Sequence, residues 1–527
     1  MPAQPSSAIV KLHADILVYL FTIIAHVDPP GLHSLDEYRP REFFNHKRKP
    51  LRLGWTRLTH VCSLWRKILI YDLPSLWAEI VLAFPCENAY AVILDRARSL
   101  PITLRLHRDA QHSAKASRAT TCDFIRTHCE RAQVLDLAVF HPPEDWSDLF
   151  NHRVLPRLRR LRLGEDAHSR DPDNPALHIQ APVLLYAQIH GGHYPSIALQ
   201  TPLLVHLDVM LSDSFTMRHL LDILLQTPLL EDLRIQSILW LDGPHWSATD
   251  DDRRLSLPRL DKLGVTGCME DFLPAMRLFS RSASIRQLNV HDVGQSECAK
   301  LQEALDMLMP SLAAGESSFN SLYISFLGTF QICAFNWQER EHSDELHRLF
   351  IPPRHAVYFR AQLYWDIPAR AQLASQFCAA LAPAKIESLT IECSWGESRA
   401  SAMWTKFSSV TAITFIIHAS GDSTPGDMHA IDIIREIPTL GNEAPLFPRL
   451  YSLRICVCGY KKNGKIDPND YYSGWWNNVI GALVARSQTG KPIRRLIVCE
   501  AEDDRGIDTG FNGRERAAAL VEELVYK

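Results

Sequence analysis

A few stretches carry reactive side chains at spacings that chemistry uses. Gly459-Tyr460-Lys461-Lys462-Asn463-Gly464-Lys465-Ile466 nearly spells a phosphate-binding loop, whose glycines and lysine cradle phosphates. Ile466 stands where a hydroxyl should reach Mg²⁺, and Asp467-Pro468-Asn469 reads as a turn where a helix should begin. The expectation is an exposed loop, not a nucleotide site. Cys456-Val457-Cys458 puts two thiols on one side of an extended segment, but no second ligand pair stands at zinc-like spacing. His128-Cys129 with Cys122 is equally isolated, so these read as core thiols. Neither Gly-x-Ser-x-Gly nor His-Glu-x-x-His occurs, and the 23 histidines form no constellation. We therefore expect a non-enzymatic chain with no cofactor and no metal.

Two clusters suit binding instead. Tyr471, Tyr472, Trp475 and Trp476, beside Lys461, Lys462 and Lys465, are candidate target-binding residues, since aromatic and basic groups together capture partners. The same residues also read as a helix start that packs on a neighbouring element. Arg39, Arg41, Lys47, Arg48, Lys49 and Arg52 concentrate charge, and His46-Lys47-Arg48-Lys49-Pro50 reads either as a nuclear address or as a solvated loop. Asp250-Asp251-Asp252-Arg253-Arg254 reads as an exposed loop.

Composition limits the partners. The 527 residues are 46% hydrophobic and 22% charged, which excludes wholesale disorder. Lys plus Arg is 56 against 60 for Asp plus Glu, a net charge of -4, so no global field draws in nucleic acid or an acidic membrane. Twelve cysteines are too dilute for a disulfide scaffold, and most lie in apolar runs, as at Cys333, Cys393, Cys456 and Cys499. Reduced thiols and the lack of any Asn-x-Ser/Thr site point to an intracellular home, in cytoplasm, nucleus or both. The longest apolar run, Ile16 to Ala25, is about half of the ~20 residues a spanning helix needs. It reads as a buried amphipathic helix.

Most of the chain is organised by a repeated phrase: proline, then apolar residues two, five and seven places later. It reads Pro156, Leu158, Leu161, Leu163; Pro202, Leu204, Leu207, Val209; Pro228, Leu230, Leu233, Ile235; Pro258, Leu260, Leu263, Val265; and Pro448, Leu450, Leu453, Ile455. Pro182, Leu184, Ala187, Ile189 is a weaker copy, and Val134, Leu137, Val139 and Ile285, Leu288, Val290 lack the proline. Later copies start at Phe319, Ile386, Val410 and Ile493. The last two apolar positions share one face of a short strand, and proline sets the turn that enters it. A stripe of Met217, Leu220, Leu221, Leu224 and Leu225, after the capping residues Ser212-Asp213-Ser214, predicts a return helix, as do Leu301, Ala304, Leu305 and Leu308. Strand and helix repeated in parallel bury their apolar faces only against neighbours, which predicts an α/β solenoid resembling an irregular leucine-rich repeat.

The amino end differs. Leu12, Ile16, Leu20 and Ile23 form one helical stripe with Leu17, Phe21 and Ile24 beside it, too wide for one partner face. A polar segment follows, then Leu58, Val61, Cys62, Trp65 and Ile68 resume the apolar period. So small a helical bundle leaves apolar surface over, and such surface marks a docking face.

These residues resemble an F-box. Leu12-His13-Ala14-Asp15-Ile16-Leu17 with Leu20-Phe21 is similar to its opening, and Thr59-His60-Val61-Cys62-Ser63-Leu64-Trp65-Arg66 to its second half. Pro74-Ser75-Leu76-Trp77 then resembles the phrase that follows it in the enlarged F-box families of mushroom-forming fungi. His13 and Asp15 stand where the family has proline and glutamate. The resemblance implies an all-α F-box-like domain over 8–80 with a polar insertion at 28–54, a connecting segment at 81–130, and the solenoid over 131–527. An insertion at 341–368 and a capping helix at 514–525 are expected within that solenoid. It further implies a substrate-recognition adaptor of a Skp-cullin-F-box ubiquitin ligase. The Skp-type linker would dock on Leu12, Ile16, Leu17, Leu20, Phe21, Val61, Cys62 and Trp65, and the repeats would hold an unidentified target protein. For each docking residue, packing inside the bundle is the competing role. A repeat scaffold without ligase engagement is the alternative function.

Overall fold

The computed structural model describes residues 12–30, 52–84, 86–106, 115–137, 146–151, 153–164, 176–190, 197–211, 217–237, 255–266, 279, 285–293, 298–308, 319–325, 330–336, 356–363, 367–381, 385–394, 404, 406–418, 446–458, 468–499 and 513–526. The phosphate-loop look-alike at 459–466, the basic residues 39–49, Ser212–Ser214 and the charged run at 250–254 lie outside the described residues. The chain forms two compact units, Met1–Trp246 with Arg253–Arg259, and Ser247–Asp252 with Leu260–Lys527. Both are mixed α/β.

The first unit opens with helices α1 (Ala14–Val27), α2 (Ser63–Lys67), α3 (Pro74–Glu79) and α4 (Glu87–Ala97). Its strands are β1 (Ile102–Arg105), β2 (Ala132–Asp136), β3 (Arg160–Leu163), β4 (Leu177–Gln180), β5 (Tyr186–His190), β6 (Ile197–Gln200), β7 (His206–Leu211) and β8 (Asp232–Ser237). The parallel order is β1-β2-β3-β5-β7-β8, while β4 and β6 pair separately. The second unit holds β9 (Lys262–Thr266), β10 (Gln287–Val293), β11 (Ser321–Ser325), β12 (Phe330–Phe335), β13 (Val357–Leu363), β14 (Ser388–Ser394), β15 (Ala412–His418), β16 (Ser452–Cys458), β17 (Arg495–Cys499) and β18 (Glu523–Tyr526). Its order is β9-β10-β13-β12-β11-β14-β15-β16-β17-β18, and the described pairs are parallel except those that β12 makes.

The proline phrase builds each strand the same way. Its first apolar residue closes a turn, the N–H of Leu158 donating to Leu155 (3.3 Å), Leu204 to Thr201 (3.1 Å), Leu230 to Thr227 (3.2 Å) and Leu450 to Phe447 (3.0 Å). The next strand then locks on with two N–H groups sharing one carbonyl, as when Val205 and His206 both donate to Leu185. All three apolar positions of each proline copy are buried, so period-two alternation places one continuous apolar row against the core. Among the helices, Met217–Leu224 buries Met217, Leu220, Leu221, Ile223 and Leu224. Leu225, expected in that stripe, lies one residue past the helix end and is exposed.

Several expectations need correction. The copy at Val134 is two residues out of register, because Leu135 pairs with Leu161 and the buried set is Ala132, Leu135 and Leu137. Residues 341–368 are not wholly an insertion, since β13 lies in the sheet with Leu288 opposite Phe359. The expected capping helix over 514–525 is only Gly513–Ala518, and Leu524 sits on β18 opposite Leu496. Glu522 and Glu523 donate to the Arg494 carbonyl, the same entry that the earlier strands make. Among the described residues, no helix is long and apolar enough to cross a membrane.

Candidate docking face and polar sheet rows

Helix α1 begins at His13, whose ring accepts the Asp15 N–H (3.4 Å) while its carbonyl accepts from Ile16 and Leu17. The helix is apolar over a wide arc, with a packed side and an exposed side next to each other. Leu17 and Phe21, each 1% exposed, and Ala25 face the bundle interior. Ile16 (48%), Leu20 (38%), Ile23 (44%) and Val27 (72%) remain exposed. Their steps of four, three and four residues align them in one stripe, with exposed Tyr19 alongside.

The inner side is held by aromatic packing. Phe21 meets Trp65 edge-on with ring centroids 5.1 Å apart, and Trp55 meets Trp77 at 4.9 Å. The buried Trp77 indole donates to the Leu69 carbonyl (2.7 Å), and the Arg96 guanidinium lies 4.3 Å from its ring centre. Burial leaves that guanidinium below its ordinary pKa. Asp28 joins the end of α1 to the turn before α2, its carbonyl accepting from the Trp55 N–H (2.9 Å) and its carboxylate from Arg57 (2.8 Å). Gly54 makes this junction possible: at φ +53° an added Cβ would stand 2.4 Å from the Pro30 nitrogen and 2.6 Å from the Pro29 carbonyl carbon. The Cys62 sulfur accepts the Trp65 N–H at 3.5 Å and starts α2.

The proposed docking residues therefore separate. Ile16, Leu20 and Val61 are exposed; Leu12, Cys62 and Trp65 are half-buried; Leu17 and Phe21 are buried in the bundle. Tyr19, Ile23, Val27 and Leu64 are exposed apolar residues that were not named with them. Helical period already sets Ile23 in the stripe, three residues past Leu20, and extends it to Val27, four residues further. In the candidate target cluster, Trp476 is 4% exposed within the helix Pro468–Gln488, so it packs rather than presents. The side chains of Tyr471, Tyr472 and Trp475 lie outside the described residues.

A second feature comes from the positions between the apolar ones. On the other face of the first sheet, Asp136 lies 3.4 Å from Arg105 and 3.8 Å from Arg162. Asp232 lies 3.5 Å from both His206 and Arg234, and Gln236 donates to Asp208 (3.1 Å). Arg160 stacks on Tyr186, 4.7 Å from its ring centre. Burial pushes the Asp208 carboxyl up, opposed by Arg234 and Gln236. Burial, with Arg162 nearby, holds His190 down at about 4. The Gln188 amide nitrogen can only donate to His190 Nε2 (3.0 Å), which fits a neutral ring protonated at Nδ1. The carboxylates of these rows are buried and already paired within the sheet, while Arg105, Arg160 and Arg234 are exposed along the face and His206 is half-buried there.

Among the described residues, no group of three or more His, Cys, Asp or Glu side chains is placed to hold a metal ion. Cys122, Cys129, Cys333, Cys378, Cys456 and Cys499 are buried and reduced. Neither a scan against protein-family models nor a search of curated proteins returns a match to this sequence.

Proposed function

We propose that this chain is a non-catalytic substrate-recognition adaptor of a Skp-cullin-F-box type ubiquitin ligase, acting in cytoplasm, nucleus or both. The observation that carries the reading is the outer stripe of α1, four exposed aliphatic side chains on a helix whose adjoining side, Leu17, Phe21 and Ala25, is already packed. A Skp-type linker supplies the apolar groove that such a stripe needs. The F-box-like residues at 12–21, 59–66 and 74–77 support the same partner. The stacked strands then form the leucine-rich-repeat-like part, whose polar rows hold the target protein. Proximity is the mechanism: a target held beside a ubiquitin-charged partner reacts at raised effective concentration, with no acid, base or nucleophile from the adaptor.

A specific observation favours the second reading, a repeat scaffold without ligase engagement. His13 and Asp15 are both largely exposed, with Nδ1 3.1 Å from a carboxylate oxygen, and place polar groups at the first turn of the stripe. Affinity capture of the full chain decides between them. The adaptor reading expects a Skp-type linker and cullin in the eluate, both lost on Ile16→Asp with Ile23→Asp. These exposed positions serve better than Leu17 or Phe21, whose charged variants would unfold the bundle. Capture of client proteins with no linker supports the scaffold.

A further inference from the structure

Cys456 on β16 and Cys499 on β17 are direct register partners on neighbouring parallel strands. Both lie on the sheet face opposite the buried Leu453, Ile455, Leu496 and Val498, and they pack together with Ile416 and Ile497. Adjacent strands run about 4.8 Å apart. That is inside the Cα window of roughly 4.4–6.8 Å that a disulfide spans. Arg454, two residues before Cys456 and therefore on the same face, donates from Nε to the Cys499 sulfur at 3.3 Å. Burial opposes the Arg454 charge, yet the neighbouring Cys456 and Cys499 sulfurs outweigh it and hold the guanidinium above its ordinary pKa. Arg454 also hydrogen-bonds to the Cys456 sulfur, so exposure is what separates the two thiols: Cys499 retains 6% and Cys456 only 1%.

We propose that Cys456 and Cys499 form a peroxide-oxidisable pair that closes to an intrachain disulfide, with Cys499 as the attacking thiol and Cys456 as the resolving one. The Arg454 N–H stabilises negative charge on the Cys499 sulfur, and the thiolate is the reactive form. Its sulfur attacks one oxygen of hydrogen peroxide; an S–O bond forms, the O–O bond breaks, and the leaving hydroxide takes the thiol's proton away as water. Cys499 is now a sulfenic acid, oxidised by two electrons. The Cys456 sulfur attacks it; the S–S bond forms, the S–O bond breaks, and hydroxide leaves with the Cys456 proton as a second water. Two thiols and one peroxide become one disulfide and two waters. The crosslink joins β16 to β17. Cys333 is in register with Tyr323 and Tyr358, and the buried Cys122, Cys129 and Cys378 lie on helices.

The test is graded hydrogen peroxide on the full chain under native conditions, followed by differential alkylation and non-reducing peptide mass mapping. The expected product is a dithiothreitol-reversible peptide pair joining Cys456 to Cys499, two hydrogens lighter than the reduced peptides. Arg454→Leu should slow its formation by about tenfold, the worth of one charge-assisted hydrogen bond. Cys456→Ser should leave Cys499 trapped as a sulfenic acid that dimedone labels, and Cys458→Ser should leave the crosslink unchanged. No Cys456–Cys499 pair while the protein remains folded, or crosslinks spread evenly over the cysteines, would overturn the proposal. Should a variant fail to fold, the wild-type crosslink map and its time course decide alone.

Discussion

Replacing Gly54 with alanine should loosen the junction between α1 and the turn before α2, and its cost can be worked from two separable contributions. The residue sits at φ +53°, where a side chain costs roughly 1–2 kcal/mol. The new Cβ also meets Pro30, Pro29 and Asp28 backbone atoms at 2.4, 2.6 and 2.7 Å, contacts that only a backbone shift relieves. Overpacking of that kind costs about 1–3 kcal/mol. Together they predict a local loss of about 2–5 kcal/mol. Gly490 supplies the control, since its φ is +71° but nothing lies within 4 Å of the added atom. Gly490→Ala should show the conformational part alone, about 1–2 kcal/mol. Hydrogen exchange read on peptides spanning 14–28 and 54–79 reports the local free energy. The expectation for Gly54→Ala is protection lowered by about 30-fold or more there. Equal, small losses for both variants would refute the assignment of Gly54 as the closing contact between α1 and the turn before α2.

Two further predictions concern the sheets. The folded His190 ring stays neutral down to about 4, whereas the unfolded chain protonates near its ordinary value of about 6.5. Its stabilising contribution is therefore full above that ordinary value and is lost as pH falls toward 4, by at most about 3 kcal/mol. Denaturant unfolding of wild type and His190→Gln at pH 7.5 and 4.5, conditions of about those values, should show the wild type losing more over this window; parallel losses would contradict the buried neutral ring. Leu207→Ala empties a fully packed position and should cost about 2–5 kcal/mol, while Leu203→Ala, at an exposed turn position, should cost under about 0.5. Similar thermal shifts for the two would contradict the inward row of the proline phrase.

The repeated strands were legible because proline and three spaced apolar residues recur, and each of those residues proves to be buried. Legibility failed where the alternation of faces is lost. β12 reads Phe330-Gln331-Ile332-Cys333-Ala334-Phe335 and is buried on both sides, since Cys333 and Phe335 join Tyr323, Ala356 and Tyr358 in a second apolar cluster. No period-two signal survives such burial. The slip at Val134 has a similar cause: Ala132 occupies the first apolar position with too little hydrophobicity to announce it. Residues 514–525 have helical spacing, yet the open edge of β17 recruits Glu523–Tyr526 as a strand. At the amino end, the two-sided apolarity of α1 was legible, but the assignment of sides was not. Leu17 and Phe21 differ from Ile16 and Leu20 only through the partners that Trp65 and the following helices provide.

The outer stripe of α1 carries the proposed adaptor role, so the decisive measurement is calorimetric titration of the purified full chain with a recombinant Skp-type linker. Wild type should bind with a one-to-one stoichiometry, and Ile16→Asp with Ile23→Asp should weaken the affinity by about 100-fold or more. That figure follows from losing roughly 1 kcal/mol of burial at each half-exposed side chain and adding two charges to desolvate. Absence of binding by the wild type, or undiminished binding by a double variant that keeps native exchange protection, would contradict it.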